Sequence, residues 1–137
     1  VQMRLHDELK SGVREMLTAL RAHGWKTGIA SSTRAVIVRK EMQHFGLEQM
    51  FDQIIGGDMV QHSKPNPEIY QTACRELGVL PAEAYAVEDS YNGIRSAAAA
   101  GMQAIMIPDL LPPTPEMEQL AAKIFPSMGE FQQFLFG

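Results

Sequence analysis

Hydrophobic residues recur along the chain with two alternating periods, one typical of helices and one typical of short buried strands. Helical spacing occurs in three apolar stripes, each followed by a glycine that is suited to end a helix. The stripes are Val13, Met16, Leu17 and Leu20 before Gly24, then Val38, Met42 and Phe45 before Gly46, and then Ile69, Tyr70, Ala73 and Leu77 before Gly78. Two further helices are predicted, one over residues 91–100 and one that begins at a capping-box pattern formed by Ser127 and Glu130.

Short apolar runs lie between these helices and predict four strands, at residues 26–30, 53–57, 85–87 and 104–107. The segment 110–115 contains three prolines and predicts a loop. Strands that alternate with helices in this way indicate βαβ units, in which a parallel sheet is covered by helices on both faces. We therefore expect one α/β domain, a three-layer Rossmann-like sandwich over residues 1–137.

Composition narrows the class of protein. The chain has 137 residues, of which 45% are hydrophobic and 20% charged, as is usual for a globular domain with its own core. A net charge of −4 argues against nucleic acid or an anionic membrane as partner. Cys74 is the single cysteine, and the sequence contains neither a signal peptide nor the ~20 apolar residues of a membrane span. These features favour a cytoplasmic location.

Three polar clusters follow the predicted strands at the point where each strand ends. Ser31, Ser32 and Thr33 follow the first strand, Lys64 lies in the loop after the second, and Glu88-Asp89 follows the third. Ligands of parallel α/β sheets bind outside the carboxyl ends of the strands. The positions of the three clusters are therefore the strongest functional signal that the residues themselves provide.

Each cluster also has an ordinary structural interpretation. The hydroxyl groups of residues 31–33 could cap the next helix, and Lys64 could be a solvated loop lysine. Asp89 or Ser90 could cap the helix that follows, but Glu88 would then add repulsion without a basic neighbour. A hard cation such as Mg²⁺, which prefers a few carboxylates together with phosphate oxygens, would resolve that repulsion. Together the clusters offer the groups that stabilise a phosphoryl group in transfer.

Three sequence motifs resemble those of the haloacid dehalogenase (HAD) superfamily of phosphotransferases. "GIASST" at residues 28–33 resembles the second motif of that family, "SKPNPEIY" at 63–70 the third, and "AVEDSYNGIRSAAAAGM" at 86–102 the fourth. Order and spacing agree over nearly the whole chain. The branch that the sequence most resembles contains β-phosphoglucomutase and enzymes similar to phosphoglycolate phosphatase.

The resemblance implies a role for each matching residue. Ser31, with the backbone N–H of Ser32, would bind the transferring phosphoryl group, and Lys64 would neutralise the same oxygens. Glu88 and Asp89 would hold Mg²⁺. The partner would be a small phosphorylated metabolite, such as a sugar phosphate.

Two further positions match residues that hold a second substrate phosphate in the phosphomutases. They are Thr33 and Arg34, although Arg34 could equally be a surface residue on the first turn of the helix.

One motif of the family is missing. The family's D-x-D-x-T/V motif supplies the nucleophile at the end of the first strand, and a helical cap domain is inserted soon after it. No two aspartates of this chain stand two residues apart; they are Asp7, Asp52, Asp58, Asp89 and Asp109. "HDELKSGVREMLTALRAHGWK" at residues 6–26 resembles the return from the cap. We therefore expect that an upstream segment of the same protein supplies the nucleophile strand, which the family places in the middle of the sheet.

Three functions are compatible with the sequence. The favoured one is Mg²⁺-dependent phosphoryl transfer, by a phosphatase or a phosphohexomutase, through an aspartyl-phosphate whose aspartate lies outside this chain. A dehalogenase is the second, but its chemistry needs no metal and leaves Glu88-Asp89 without a role. The third is a truncated or degenerate module on the same scaffold, with a binding role and no catalysis. For the favoured function, the isolated chain is expected to be inactive.

Overall fold

A computed structural model of the protein describes residues 12–137, in which helices and strands alternate. The strands are short, from two to four residues each, and most of the helices have nine or ten residues. In chain order the elements are α1 (Val13–Ala22), β1 (Gly28–Ala30), α2 (Ala35–His44), β2 (Gln53–Ile55), α3 (Glu68–Leu77), β3 (Tyr85–Glu88), α4 (Tyr91–Ala99), β4 (Gln103–Met106), α5 (Pro115–Leu120), β5 (Lys123–Ile124) and α6 (Met128–Phe136).

Every strand pair among the described residues is parallel, and the pairs form two separate sheets. One sheet contains β1 and β2, with Ile29 opposite Ile54. The other has the order β3-β4-β5, with Val87 opposite Ile105. Parallel strands need crossover connections, and helices provide them here.

The two sheets share the same two helical layers. Ile29, Ile54, Val87 and Ile105 point to one face, where they pack with α1, α2 and α6. The alternate strand residues point to the other face, where they pack with α3, α4 and α5; they include Ala30, Ile55, Ala86, Ala104 and Met106. This alternation is expected of strands that are buried on both faces. The predicted three-layer α/β sandwich is therefore confirmed.

The sequence patterns located most of the elements correctly. The predicted helices at the three stripes, at residues 91–100 and after Ser127 are all present, and Ser127 caps α6 by accepting a hydrogen bond from Glu130 N. Two elements were missed. Residues 110–114 form the predicted loop, but Pro115 begins α5 instead of ending the loop, and β5 follows it. Pro67 directly precedes α3 as its N-cap residue.

A cavity of about 470 Å³ lies between the two sheets. It is lined by residues of β1 and β3 and by the helices of both layers, including Ile29, Ala30, Cys74, Val87, Met128 and Phe131. Among residues 12–137 no strand joins β1 to β3. That a further strand occupies the middle of the sheet stays a prediction.

No helix among residues 12–137 has the length and apolar character that crossing a bilayer requires. Asp7 and the first six residues of the segment that resembles the return from the cap lie outside the described residues.

Candidate active site

The three polar clusters meet at one edge of the structure, and Lys64 is the residue that joins them. Its ammonium nitrogen donates a hydrogen bond to the carbonyl oxygen of Ala30, the last residue of β1, over 3.1 Å. It donates another to Glu88 Oε2, at the end of β3, over 2.7 Å. The carboxyl ends of the two sheets are therefore adjacent, as the sequence predicted, and a single side chain spans them.

The Lys64–Glu88 ion pair is buried. The Lys64 side chain is 7% exposed and the Glu88 side chain 0% exposed. Burial lowers the pKa of the Lys64 amine, while the charge and hydrogen bond of Glu88 act in the opposite direction. The ammonium group also lies 5.0 Å from the centre of the Tyr70 ring. Lys64 is thus a fixed residue of the site and not a solvated loop lysine.

Glu88 has more partners than the sequence indicated. The expectation that it has no basic neighbour was wrong, because Lys64 lies 24 residues away in sequence but in direct contact with it. The buried hydroxyl group of Tyr70 donates a hydrogen bond to the same oxygen, Oε2. Ser90 Oγ donates to Oε1 over 3.3 Å. Burial and the Glu88 carboxylate raise the pKa of Tyr70 well above its usual range, so its hydroxyl group stays a donor.

A glycine on α4 makes room for this carboxylate. A Cβ atom built on Gly93 would lie 1.9 Å from Glu88 Oε1, closer than any stable contact. Gly93 N donates instead to Ser90 Oγ, which caps α4. The predicted cap at the start of this helix is therefore confirmed for Ser90.

The cap interpretation of residues 31–33 was wrong. Ser31 is buried, and its Oγ accepts a hydrogen bond from Thr33 N over 3.1 Å, within the loop and ahead of the helix. Helix α2 begins at Ala35, and its N-cap residue, Arg34, provides no side-chain cap. The carboxylate of Asp58 accepts the Ala35 N–H over 2.9 Å in its place.

The remaining predicted residues surround this centre. Ser32 and Arg34 are exposed, and Thr33 is half-buried. Asp89 follows Glu88 directly, is half-buried, and is near enough to raise the pKa of Lys64 against the effect of burial. The structure therefore brings together Ser31, Lys64, Glu88 and Asp89, with Thr33 and Arg34 farther along the same loop.

Three residues of the site were not identified from the sequence: Tyr70, Gly93 and Asp58. Tyr70 was assigned only to the apolar stripe of α3. A tyrosine in such a stripe needs a partner for its hydroxyl group when it is buried, and this was a usable signal. Gly93 and Asp58 gave no comparable signal, because their roles depend on contacts between elements.

The described residues can supply a magnesium ion with only a few protein ligands. No group of three or more acidic, histidine or cysteine side chains lies together among residues 12–137. The available metal ligands are the adjacent carboxylates of Glu88 and Asp89. The oxygens of the Glu88 carboxylate also accept hydrogen bonds from Lys64, Tyr70 and Ser90. Mg²⁺ is commonly held by one or two carboxylates, with water and phosphate oxygens completing the octahedron. The donor set satisfies this requirement.

We expect Tyr70→Phe to destabilise the protein by about 1–3 kcal/mol, because it removes a donor from a buried carboxylate and leaves the packing of the ring unchanged. Tyr91→Phe is the matched control, since the Tyr91 hydroxyl group donates to Pro112 O at a solvent-accessible position. Urea unfolding of the two variants measures the difference. Equal losses of stability would contradict the contribution assigned to Tyr70.

Comparison with known proteins identifies the family of the chain. The family model for haloacid dehalogenase-like hydrolases matches residues 1–107. Hexitol phosphatase B of Escherichia coli is 34% identical over 100 residues, which are 73% of this chain and 45% of that protein. The chain spans less than half the length of the first curated relatives that it matches.

Two solved structures have the same fold. CbbY from Rhodobacter sphaeroides in complex with phosphate is 34% identical, with a TM-score of 0.82 over 90% of this chain and 56% of that chain. A HAD phosphatase from Thermococcus onnurineus is 30% identical, with a TM-score of 0.84 over 95% of this chain and 59% of that chain. With the family model matching more than half of its residues, the chain belongs to the haloacid dehalogenase-like hydrolases.

Proposed function

We propose that the complete protein is a Mg²⁺-dependent phosphatase or phosphomutase that acts on a small phosphorylated metabolite, such as a sugar phosphate. The reaction passes through an aspartyl-phosphate, and the aspartate lies outside residues 1–137. Ser31 and the backbone N–H of Ser32 bind the transferring phosphoryl group, and Lys64 neutralises its oxygens. Thr33 and Arg34 contact a second phosphate where the substrate has one. The protein is expected to work in the cytoplasm.

The observation that carries this proposal is the position of the Lys64 ammonium group. It is buried, it is held by Ala30 O and Glu88 Oε2, and Ala30 directly precedes Ser31. A cation fixed in this way needs no reorganisation when negative charge develops on a phosphoryl group beside Ser31. Preorganised charge of this kind is the main source of catalysis in phosphoryl transfer.

Glu88 and Asp89 are the residues that would hold Mg²⁺. The ion would neutralise charge on the phosphoryl oxygens and on the attacking carboxylate. Because Lys64 pairs with Glu88, a metal is not needed to relieve the repulsion between the Glu88 and Asp89 carboxylates. The proposal for the metal therefore depends on Asp89, on the hard oxygen donors, and on family membership.

None of the described aspartates is placed as the nucleophile. Asp52 accepts a hydrogen bond from Thr27 N, on the amino-terminal side of β1, and Asp58 binds the start of α2. Asp89 is proposed for the metal, and Asp109 is exposed after β4. A strand between β1 and β3 would end beside Ala30 and Glu88, which is where Lys64 lies. We infer that an aspartate on such a strand is the nucleophile.

The substrate class rests on the relatives. Hexitol phosphatase B is named for a phosphorylated sugar alcohol, and CbbY has been crystallised with phosphate. Both names are compatible with a site that offers hydroxyl, amide and ammonium donors to one phosphoryl group. The chain spans about half the length of hexitol phosphatase B and of CbbY. Both a phosphatase and a phosphomutase are therefore proposed.

The metal proposal predicts that Asp89→Asn lowers kcat on the order of 10²-fold and raises the Mg²⁺ concentration needed for half-maximal activity, because a ligand charge is lost. Magnesium titration of the full-length enzyme, after treatment with EDTA, measures both effects. Asp109→Asn removes an exposed carboxylate from the same edge and serves as the control. Phosphate release that survives EDTA would contradict the metal proposal.

Lys64→Ala in the full-length enzyme is expected to lower kcat by about 10²-fold or more, with a smaller effect on KM. The reason is that the ammonium group compensates charge that is greatest in the transition state. Steady-state kinetics with a sugar phosphate separates the two constants. An increase in KM alone would make Lys64 a substrate-binding residue and would contradict the proposed role.

Residues 1–137 expressed alone are expected to release no phosphate, because the nucleophile is proposed to lie elsewhere in the protein. Phosphate release by this fragment and by the full-length protein, tested against one panel of phosphorylated metabolites with Mg²⁺, provides the measurement. Activity of the fragment alone would disprove the inference about the nucleophile. An inactive but folded full-length protein would favour a binding module.

A further inference from the structure

Residues 56–58, which follow β2, make close contact with the loop that contains Ser31. Gly57 N donates a hydrogen bond to Thr33 O over 2.9 Å, and Asp58 Oδ1 accepts one from Ala35 N over 2.9 Å. Immediately before them, Ser31 N donates to Ile55 O over 3.0 Å. The loop 31–35 is therefore held along its whole length by one neighbouring segment.

The two glycines of this segment allow the close approach. A Cβ atom on Gly56 would lie 2.2 Å from Ala35 N, and one on Gly57 would lie 2.2 Å from Ser32 O. Both neighbouring atoms belong to the backbone, so they cannot move aside as a flexible side chain could. The main chains of the two loops are in direct contact, so a side chain at position 56 or 57 would force one of the loops to move.

Asp58 supplies a cap that α2 does not make for itself. Helices α4, α5 and α6 are each capped by their own preceding residue, through Ser90, Thr114 and Ser127. The residue before α2 is Arg34, which provides no side-chain cap. The first turn of α2 is therefore fixed to the β2 loop through Asp58, and this contact is formed only when both loops are in place.

We propose that Asp58 is a positioning residue for the phosphoryl-binding loop. Its carboxylate holds the Ala35 N–H, and through it keeps the Ser31 hydroxyl group and the Ser32 amide in place. The proposal rests on the proposed function, since it assigns Asp58 to the same phosphoryl site. Without the contact, the loop keeps its backbone bonds at Ser31 N and Thr33 O but loses its attachment at Ala35 N. Displacement of catalytic donors by about 1 Å can cost on the order of 10²-fold in rate, so a partial loss on the order of tenfold is expected.

The experiment compares three variants of the full-length protein. Asp58→Ala removes the acceptor, whereas Asp58→Asn keeps an oxygen acceptor in the same place and removes only the charge. Asp52→Ala is the matched control, because Asp52 also accepts a backbone N–H, from Thr27 over 2.8 Å, but at the amino-terminal end of β1. The measurements are kcat/KM for p-nitrophenyl phosphate, the inhibition constant of inorganic phosphate, and the melting temperature.

We expect Asp58→Ala to lower kcat/KM and to weaken inhibition by phosphate, each by about tenfold. Asp58→Asn should remain within about threefold of the wild type, because the amide oxygen restores the hydrogen bond. Asp52→Ala should lower the melting temperature and leave both constants unchanged. If Asp58→Ala does not fold, Asp58→Ser carries the same expectation, since its hydroxyl group is too short to reach Ala35 N.

Two results would overturn the proposal. One is an Asp58→Ala or Asp58→Ser variant that loses thermal stability yet keeps wild-type values of kcat/KM and of the phosphate inhibition constant. Asp58 would then be only a structural cap. The other is an Asp58→Asn variant that is as impaired as Asp58→Ala. A wild-type protein that neither hydrolyses p-nitrophenyl phosphate nor binds inorganic phosphate would contradict the proposed function itself, which is a separate failure.

Discussion

The buried ion pair between Lys64 and Glu88 is the interaction on which the geometry of the site depends. Removing two charges from water costs several kcal/mol per ion, and the attraction between them does not always offset that cost. Here Ala30 O, the Tyr70 hydroxyl group and Ser90 supply further hydrogen bonds to the pair. A buried pair is weak evidence for a stabilising role by itself. Its position at the carboxyl ends of both sheets is where the proposed function requires a fixed positive charge.

Much of the fold could be predicted because it depends on local periodicity. The stripe of Val13, Met16, Leu17 and Leu20 lies on α1 as expected, and Gly78 ends α3 in the left-handed conformation. The missed elements are those in which local signals are weak or ambiguous. Pro115 was assigned to a proline-rich loop but begins α5, a position that proline suits equally well. With only two residues, β5 is too short to show any period.

Only the site residues that follow the ends of strands could be predicted from the sequence. The alignment of Ser31, Lys64 and Glu88 at one edge follows from parallel topology, so it was accessible from the sequence. The partners of these residues were not. Tyr70 is 18 residues from Glu88, and Asp58 is 23 residues from Ala35. The cap interpretation of residues 31–33 failed because it assumed that the nearest polar side chain in sequence would bind the start of α2.

The chain joins its two sheets at both ends. At the carboxyl ends, Lys64 connects β1 to β3; at the amino ends, the ring of Trp25 stacks on that of Tyr85, with 5.9 Å between centroids. The helical layers also continue across the division, since α1 and α6 pack on strand residues of both sheets. Side chains and helices thus set the separation of β1 and β3 without backbone pairing between them. A strand that enters this space would end beside Lys64, so the proposed function makes completing the sheet and completing the active site the same event.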